Sequence, residues 1–218
     1  MEKRHRIIKG RVKVIPFYLF TLLLFISSCS ETDSDQVEYP DWQNKNEAYF
    51  EQQYQAHSAS NIFAKWSMGE GVTAAHTDCI LVDRIEEGMG GNSPYYNDSV
   101  VIHYSGHLLP STSYPSGMVF DKSYLKSTPD QAVDAPARIA VSSTTGTVSY
   151  YRMPTCSDFV AGFATALQHM HRGDHWRVTI PHQLAYGASA NGSIPAYSTL
   201  IFDIWLVDFW TKHQGDRE

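Results

Sequence analysis

Apolar and polar positions along the chain predict a short hydrophobic leader, a helix, and then a run of strands interrupted by a second helix. The leader is Val14 to Ile26, broken only by Pro16 and Thr21. Polar residues from Ser30 end at Pro40 and predict a flexible tether. Asp41 is placed to cap a helix from Trp42 to about His57, with Trp42, Tyr49, Phe50 and Tyr54 as an imperfect apolar stripe. Ile62, Phe63 and Trp66 are candidates to extend that helix.

From Cys79 the period shortens. Ile80-Leu81-Val82 is a short strand, and Gly88 to Asp98 is a turn region rich in Gly, Asn, Ser and Pro. Ser99 to Leu109 alternates, with Val100, Ile102 and Tyr104 on one face and Val101 and His103 on the other. A Pro/Ser-rich loop spans 110–118, Phe120-Asp121 follows, and Ala137 to Val141 is another candidate strand. Thr147 to Arg152, β-branched and aromatic, predicts an extra strand or hairpin. Ser157 or Asp158 is placed to cap a second helix carrying Phe159, Val160, Phe163, Leu167 and Met170, with Gly173 as its stop. His175 to Ile180 and Thr199 to Phe209 are strands, separated by a Gly/Ala/Ser loop at 187–198. One helix against an antiparallel sheet defines an α+β fold.

Charge changes the picture at the N-terminus. Residues 1–28 carry six Lys or Arg and one acidic residue, ahead of the apolar run and of Ser27-Ser28-Cys29. A basic start, a short apolar core and small residues at a cut site describe a signal peptide. The run falls short of the roughly 20 residues a spanning helix needs. The tetrad Ile26-Ser27-Ser28-Cys29 resembles a bacterial lipobox, which implies lipidation of Cys29 as the first mature residue and an anchor in the cell envelope. Ser30 resembles the next residue of lipoproteins sent to the outer membrane, with periplasmic or surface display left open, and Glu31 to Asp35 faintly resembles a surface-export signal of Bacteroidetes. Without residues 1–28 the chain has 11 basic and 22 acidic side chains. Phosphate binding needs clustered Lys and Arg, so this balance argues against a nucleic-acid partner.

The ten histidines offer one candidate metal pattern, His169-x-His171 with His175 nearby. His169 and His171 point to different sides of a helix end, where histidines also complement the helix dipole, so no metal is expected. Cys79 and Cys156 are expected as two buried thiols, with a disulfide as the alternative that an oxidising compartment permits.

Four local patterns then occur in order. They are Val101-Ile102-His103-Tyr104-Ser105-Gly106; Val119-Phe120-Asp121-Lys122-Ser123; Val160-Ala161-Gly162-Phe163; and a last group made of Thr179-Ile180-Pro181, Leu184-Ala185-Tyr186-Gly187, Ile194-Pro195 and Thr199 to Asp203. Across residues 99–209 this series resembles the FKBP-type peptidyl-prolyl cis-trans isomerase domain. The resemblance implies an FKBP-like twisted antiparallel sheet wrapped around one short helix, with an N-terminal helical extension. It divides the chain into a signal peptide (1–28), a tether (29–40), the extension (41–70), the isomerase domain (71–212, with an insertion at about 122–157) and a polar tail (213–218).

The implied chemistry has a simple physical basis. An X-Pro bond crosses a barrier of about 18–20 kcal/mol because the amide resists losing planarity, and proline leaves both isomers accessible. A twisted amide has lost resonance, so its carbonyl is less dipolar, and a dry aromatic pocket suits it better than the planar ground state. No nucleophile, metal or cofactor is required. The resemblance places Phe163 at the pocket floor, where the family usually has Trp, and Tyr104, Phe120 and Phe202 as walls for the proline ring. It places Val160 and Ile194 at the substrate-binding rim, their neighbouring N–H groups and the Tyr186 hydroxyl holding substrate carbonyls. Asp121 sits beside the pocket to orient neighbours and bias the field. The implied partners are proline-containing polypeptides, and macrolide binding is left open. Four departures qualify the match: Phe163 for Trp, Ala137 where an aromatic is common, a segment from Asp121 to Val160 longer than minimal by roughly twenty residues and long enough to overhang the pocket, and a slightly shorter loop from Gly187 to Ile194. They keep a second reading alive, a binding or chaperone module of the envelope with little turnover.

Overall fold

Among the described residues of the computed structural model, eight strands and two helices follow one another from Trp42 to Trp210. The structure describes residues 37–69, 71–130, 132–142 and 149–211, the side chains of 140–151 excepted. The leader, Cys29, most of the tether and the tail from Lys212 lie outside the described residues, as do Thr147 and Val148 of the expected hairpin.

Helix α1 (Trp42–Ala56) is followed by β1 (Ile62–Ala64), β2 (Cys79–Glu86), β3 (Ser99–His107) and β4 (Val119–Lys122). Strands β5 (Ile139–Ser142) and β6 (Ser149–Arg152) form a separate antiparallel pair. Helix α2 (Ala161–Leu167), β7 (His175–Ile180) and β8 (Leu200–Trp210) follow. The main sheet is antiparallel throughout, in the order β1-β2-β7-β8-β3-β4. The longest strand, β8, therefore runs between β7 and β3.

The core lies between this sheet and α2. Ile80 and Val82 of β2, Val178 and Ile180 of β7, Ile204 and Leu206 of β8 and Val100 and Ile102 of β3 are all fully buried beside Phe163 and Leu167 of α2. Strand alternation explains the pattern, since residues two apart share a face. Gly162 lets α2 lie close to the sheet: a Cβ there would come within 2.3 Å of Ile180 Cγ2.

Four local expectations are corrected. Ile62 and Phe63 do not prolong α1; they pair with Leu81 and Ile80 as the edge strand β1. A three-residue strand is too short to announce its own period, and β2 supplies the missing pairing partner. Asp41 takes a left-handed conformation and makes no cap; its carboxylate accepts a bond from Asn44 Nδ2 instead. Asp158 caps no helix either. It closes a reciprocal capping box with Thr155 around the short turn Cys156–Asp158, and α2 begins only at Ala161. The first part of the insertion runs alongside β3 and does not line the pocket: Ser123 N–H donates to Tyr104 O, Ala137 N–H donates to Ile102 O, and buried Tyr124 packs edge-on against Trp205. His103, on the strand face opposite Tyr104, is buried. Cys79 and Cys156 are buried and unpaired.

Candidate active site

A cavity of about 550 Å³ opens between α2, the ends of β3, β4 and β8, and the loop before β8. All eight residues singled out from the sequence as pocket residues line it: Tyr104, Phe120, Asp121, Val160, Phe163, Tyr186, Ile194 and Phe202. Phe163, in the first turn of α2, is almost wholly buried and forms the floor. Phe202 stands perpendicular to it with ring centres 5.0 Å apart, and Phe120 stands perpendicular to Phe202 at 5.5 Å. Tyr104 meets Phe163 edge-on at 5.8 Å. Edge-to-face contacts of this kind hold rings in fixed orientations, so the walls are preformed.

Phe120 and Asp121 are neighbours on one strand and would ordinarily point to opposite faces. A bulge overrides that rule. Gly106 pairs with Asp121 and His107 pairs with Val119, so Phe120 is the extra residue and both side chains reach the cavity. Gly106 opposite them is required for space, because a Cβ there would lie 2.5 Å from both Phe120 Cζ and Phe202 Cε1.

Tyr104 Oη donates to Asp121 Oδ2 at 2.6 Å. Burial, reinforced by that bond and by the Asp121 charge, raises the phenol well above its usual range. Tyr104 therefore stays a proton donor, and the bond fixes the carboxylate at the cavity edge. Asp158, also in the lining, is gripped by Arg152 through bonds of 2.6 and 2.5 Å, and by Thr155 N–H, which hold its carboxyl down at about 2. The charged side chains lining the cavity are thus both carboxylates, one of them already neutralised.

Sequence reasoning missed Asp158, Phe159 and the segment Asn191 to Ser193, which also line the cavity. Helical periodicity puts Phe159 on the buried stripe of the second helix. Because α2 starts two residues later, its ring turns into the cavity instead and stacks on Phe163 at 4.4 Å and 22°. Ala137 does not line the cavity, and none of the described side chains of 122–157 does. Phe159 adds aromatic area on the floor, where Phe163 is smaller than Trp. The Val160 N–H, at the start of α2 where donors have no helical partner, makes no hydrogen bond among the described residues. The Ile194 N–H differs from expectation: it donates to Asn191 O at 2.9 Å in a small reciprocal hairpin. Among the described residues no cluster of three His, Cys, Asp or Glu could hold a metal ion.

The cavity is a cup of interlocked aromatic rings with two carboxylates, Asp121 and Asp158, among its lining side chains. Residues 141–207 match the family model for FKBP-type peptidyl-prolyl cis-trans isomerase. Macrophage infectivity potentiator of Trypanosoma cruzi is 33% identical over 137 residues, 62% of this chain and 56% of that protein. An FKBP-type 22 kDa peptidyl-prolyl cis-trans isomerase of Escherichia coli is 30% identical over 160 residues, 72% of this chain and 63% of that one. The chain thus spans between about half and two-thirds of the length of these curated relatives. A crystal structure of a peptidyl-prolyl cis-trans isomerase from Pseudomonas syringae aligns with 78% of this chain and 96% of its own at 22% identity and a TM-score of 0.48.

Proposed function

We propose that the protein is a peptidyl-prolyl cis-trans isomerase acting on exported polypeptides. The observation that carries this reading is the convergence of Tyr104, Phe120, Phe163 and Phe202 on one cup, with Asp121 fixed at its edge by Tyr104. A proline ring enters the cup and the preceding carbonyl lies near Asp121 and Tyr104. As the C–N bond rotates, the amide loses resonance and its carbonyl loses part of its dipole. Dry rings stabilise that state relative to the solvated planar one, because they offer the planar carbonyl nothing in exchange for water. The Tyr186 hydroxyl and the Val160 N–H hold flanking carbonyls, so that rotation is confined to the one bond. No covalent step and no cofactor enter.

Export and anchoring belong to the same proposal. The leader and Cys29 address the chain to the cell envelope, with Cys29 lipidated and the tether reaching to the folded unit. Incorporation of labelled palmitate, lost in Cys29→Ala, tests that part separately.

The test of the activity is acceleration of isomerisation in short Xaa-Pro peptides with varied residues before proline, for the chain without residues 1–28. Phe120→Ala and Asp121→Ala are expected to lower kcat/KM about tenfold or more. A well-folded sample that accelerates no peptide but still binds proline-containing segments would replace the enzyme with a binding module.

A further inference from the structure

Residues outside the family resemblance hold one rim of the cup. Trp42 Nε1 of α1 donates to Ser198 Oγ at 2.8 Å, and that hydroxyl donates in turn to Pro195 O at 2.7 Å. Pro195 follows Ile194, which lines the cup. One turn further along α1, Asn46 Oδ1 accepts from Thr199 N–H at 2.8 Å, and Thr199 Oγ1 donates to Asn46 O at 3.3 Å. Asn46 is fully buried, and its Nδ2 donates to Trp42 O at 2.7 Å, so both ends of the amide are used. Beside them Glu47 Oε1 lies 3.5 Å from His182 Nε2.

The loop that these contacts hold is under constraint. Tyr197 adopts φ 62, a left-handed conformation that costs a bulky residue strain and persists only where its surroundings over-determine it. Its N–H donates to Gly187 O, and the Gly187 N–H donates to His182 O. A surface loop is otherwise among the more mobile parts of a fold.

We propose that Trp42 and Asn46 are positioning residues for the Ile194 rim, so that α1 sets the width of the mouth through which the peptide enters. The proposal rests on the reading of the cup as a peptide site, and it is tested by two readouts in the full chain. Trp42→Phe keeps the ring and removes the donor; Ser198→Ala removes its partner; Asn46→Leu removes the amide. Each is expected to raise KM for an Xaa-Pro peptide about fivefold, the size of one net hydrogen bond, with kcat within twofold. Each also speeds hydrogen exchange at the Thr199 and Tyr197 amides relative to amides of β7. Combining Trp42→Phe with Ser198→Ala adds little to either single change, because both break the same link. Unchanged exchange at Thr199 and Tyr197, exchange that rises equally across β7, or faster exchange with unaltered KM would each overturn the proposal. A chain with no isomerase activity would sink the reading of the cup, and the exchange measurements would still decide whether α1 holds the rim.

Discussion

Replacing Gly106 with alanine tests whether the cup is a packed object or a loose hollow. The new Cβ would lie 2.5 Å from Phe120 Cζ, 2.7 Å from Phe120 Cε2 and 2.5 Å from Phe202 Cε1. Carbon atoms pack best at about 3.5–4.0 Å, so each ring is roughly 1 Å too close. Phe202 cannot yield easily, since it is 6% exposed and locked against Phe163 and Tyr104. Phe120 is only half buried and gives way first, which tilts one wall into the cup or out of it. Overpacking of this kind costs about 1–3 kcal/mol. Gly106→Ala is therefore expected to lower the urea midpoint accordingly and to reduce kcat/KM about tenfold or more. In a Phe120→Ala background two of the three close contacts vanish, so the added stability cost of Gly106→Ala should fall to less than half. A Gly106→Ala protein with unchanged midpoint and unchanged catalysis, or strictly additive costs in the double variant, would refute the argument.

Gly162→Ala should destabilise by a similar amount of about 1–3 kcal/mol, because its Cβ would meet the fully buried Ile180, whereas Gly192→Ala, which meets nothing, tests left-handed backbone strain alone; urea titration separates them. Burial lowers His103, His107 and His169 below the usual histidine range. Their depressed native values mean that the unfolded chain takes up protons first, so this stability is present above about pH 6.5 and is lost as pH falls below it. The urea midpoint should drop between about pH 7.5 and 5.5, and His103→Gln should flatten that slope. Burial pushes the Cys156 thiol up to about 12 and raises Cys79 as well; neither should react with a thiol reagent at neutral pH until urea unfolds the chain, and rapid native labelling would contradict the packing.

The cup was legible in the sequence because its residues sit in short motifs whose order survives along the chain: Tyr104, Phe120-Asp121, Phe163, Tyr186, Ile194 and Phe202 all converge. What stayed hidden depends on contacts between distant segments or on a shift of one or two residues. Periodicity puts Phe159 on a helix face because it cannot tell where a helix starts, and a start at Ala161 sends its ring into the cup. Asn46 was invisible for a different reason. A polar residue between Trp42 and Phe50 breaks the apolar stripe, and only its bonds to Thr199, 153 residues away, explain its complete burial. The strand β1 carried no signal of its own because its conformation is imposed by β2.

The position of β8 also governs when the cup can exist. This strand is among the last described parts of the chain, yet it lies between β7 and β3 and brings Phe202 to the centre of the rings. A chain emerging from the ribosome or crossing a membrane has Tyr104, Phe120 and Phe163 in hand but nothing to join the two halves of the sheet. Pairings that span such long separations form slowly. Until residues 200–210 arrive, β3 and β7 have no shared neighbour and the cup lacks Phe202, so the cup is among the last features of the fold to form.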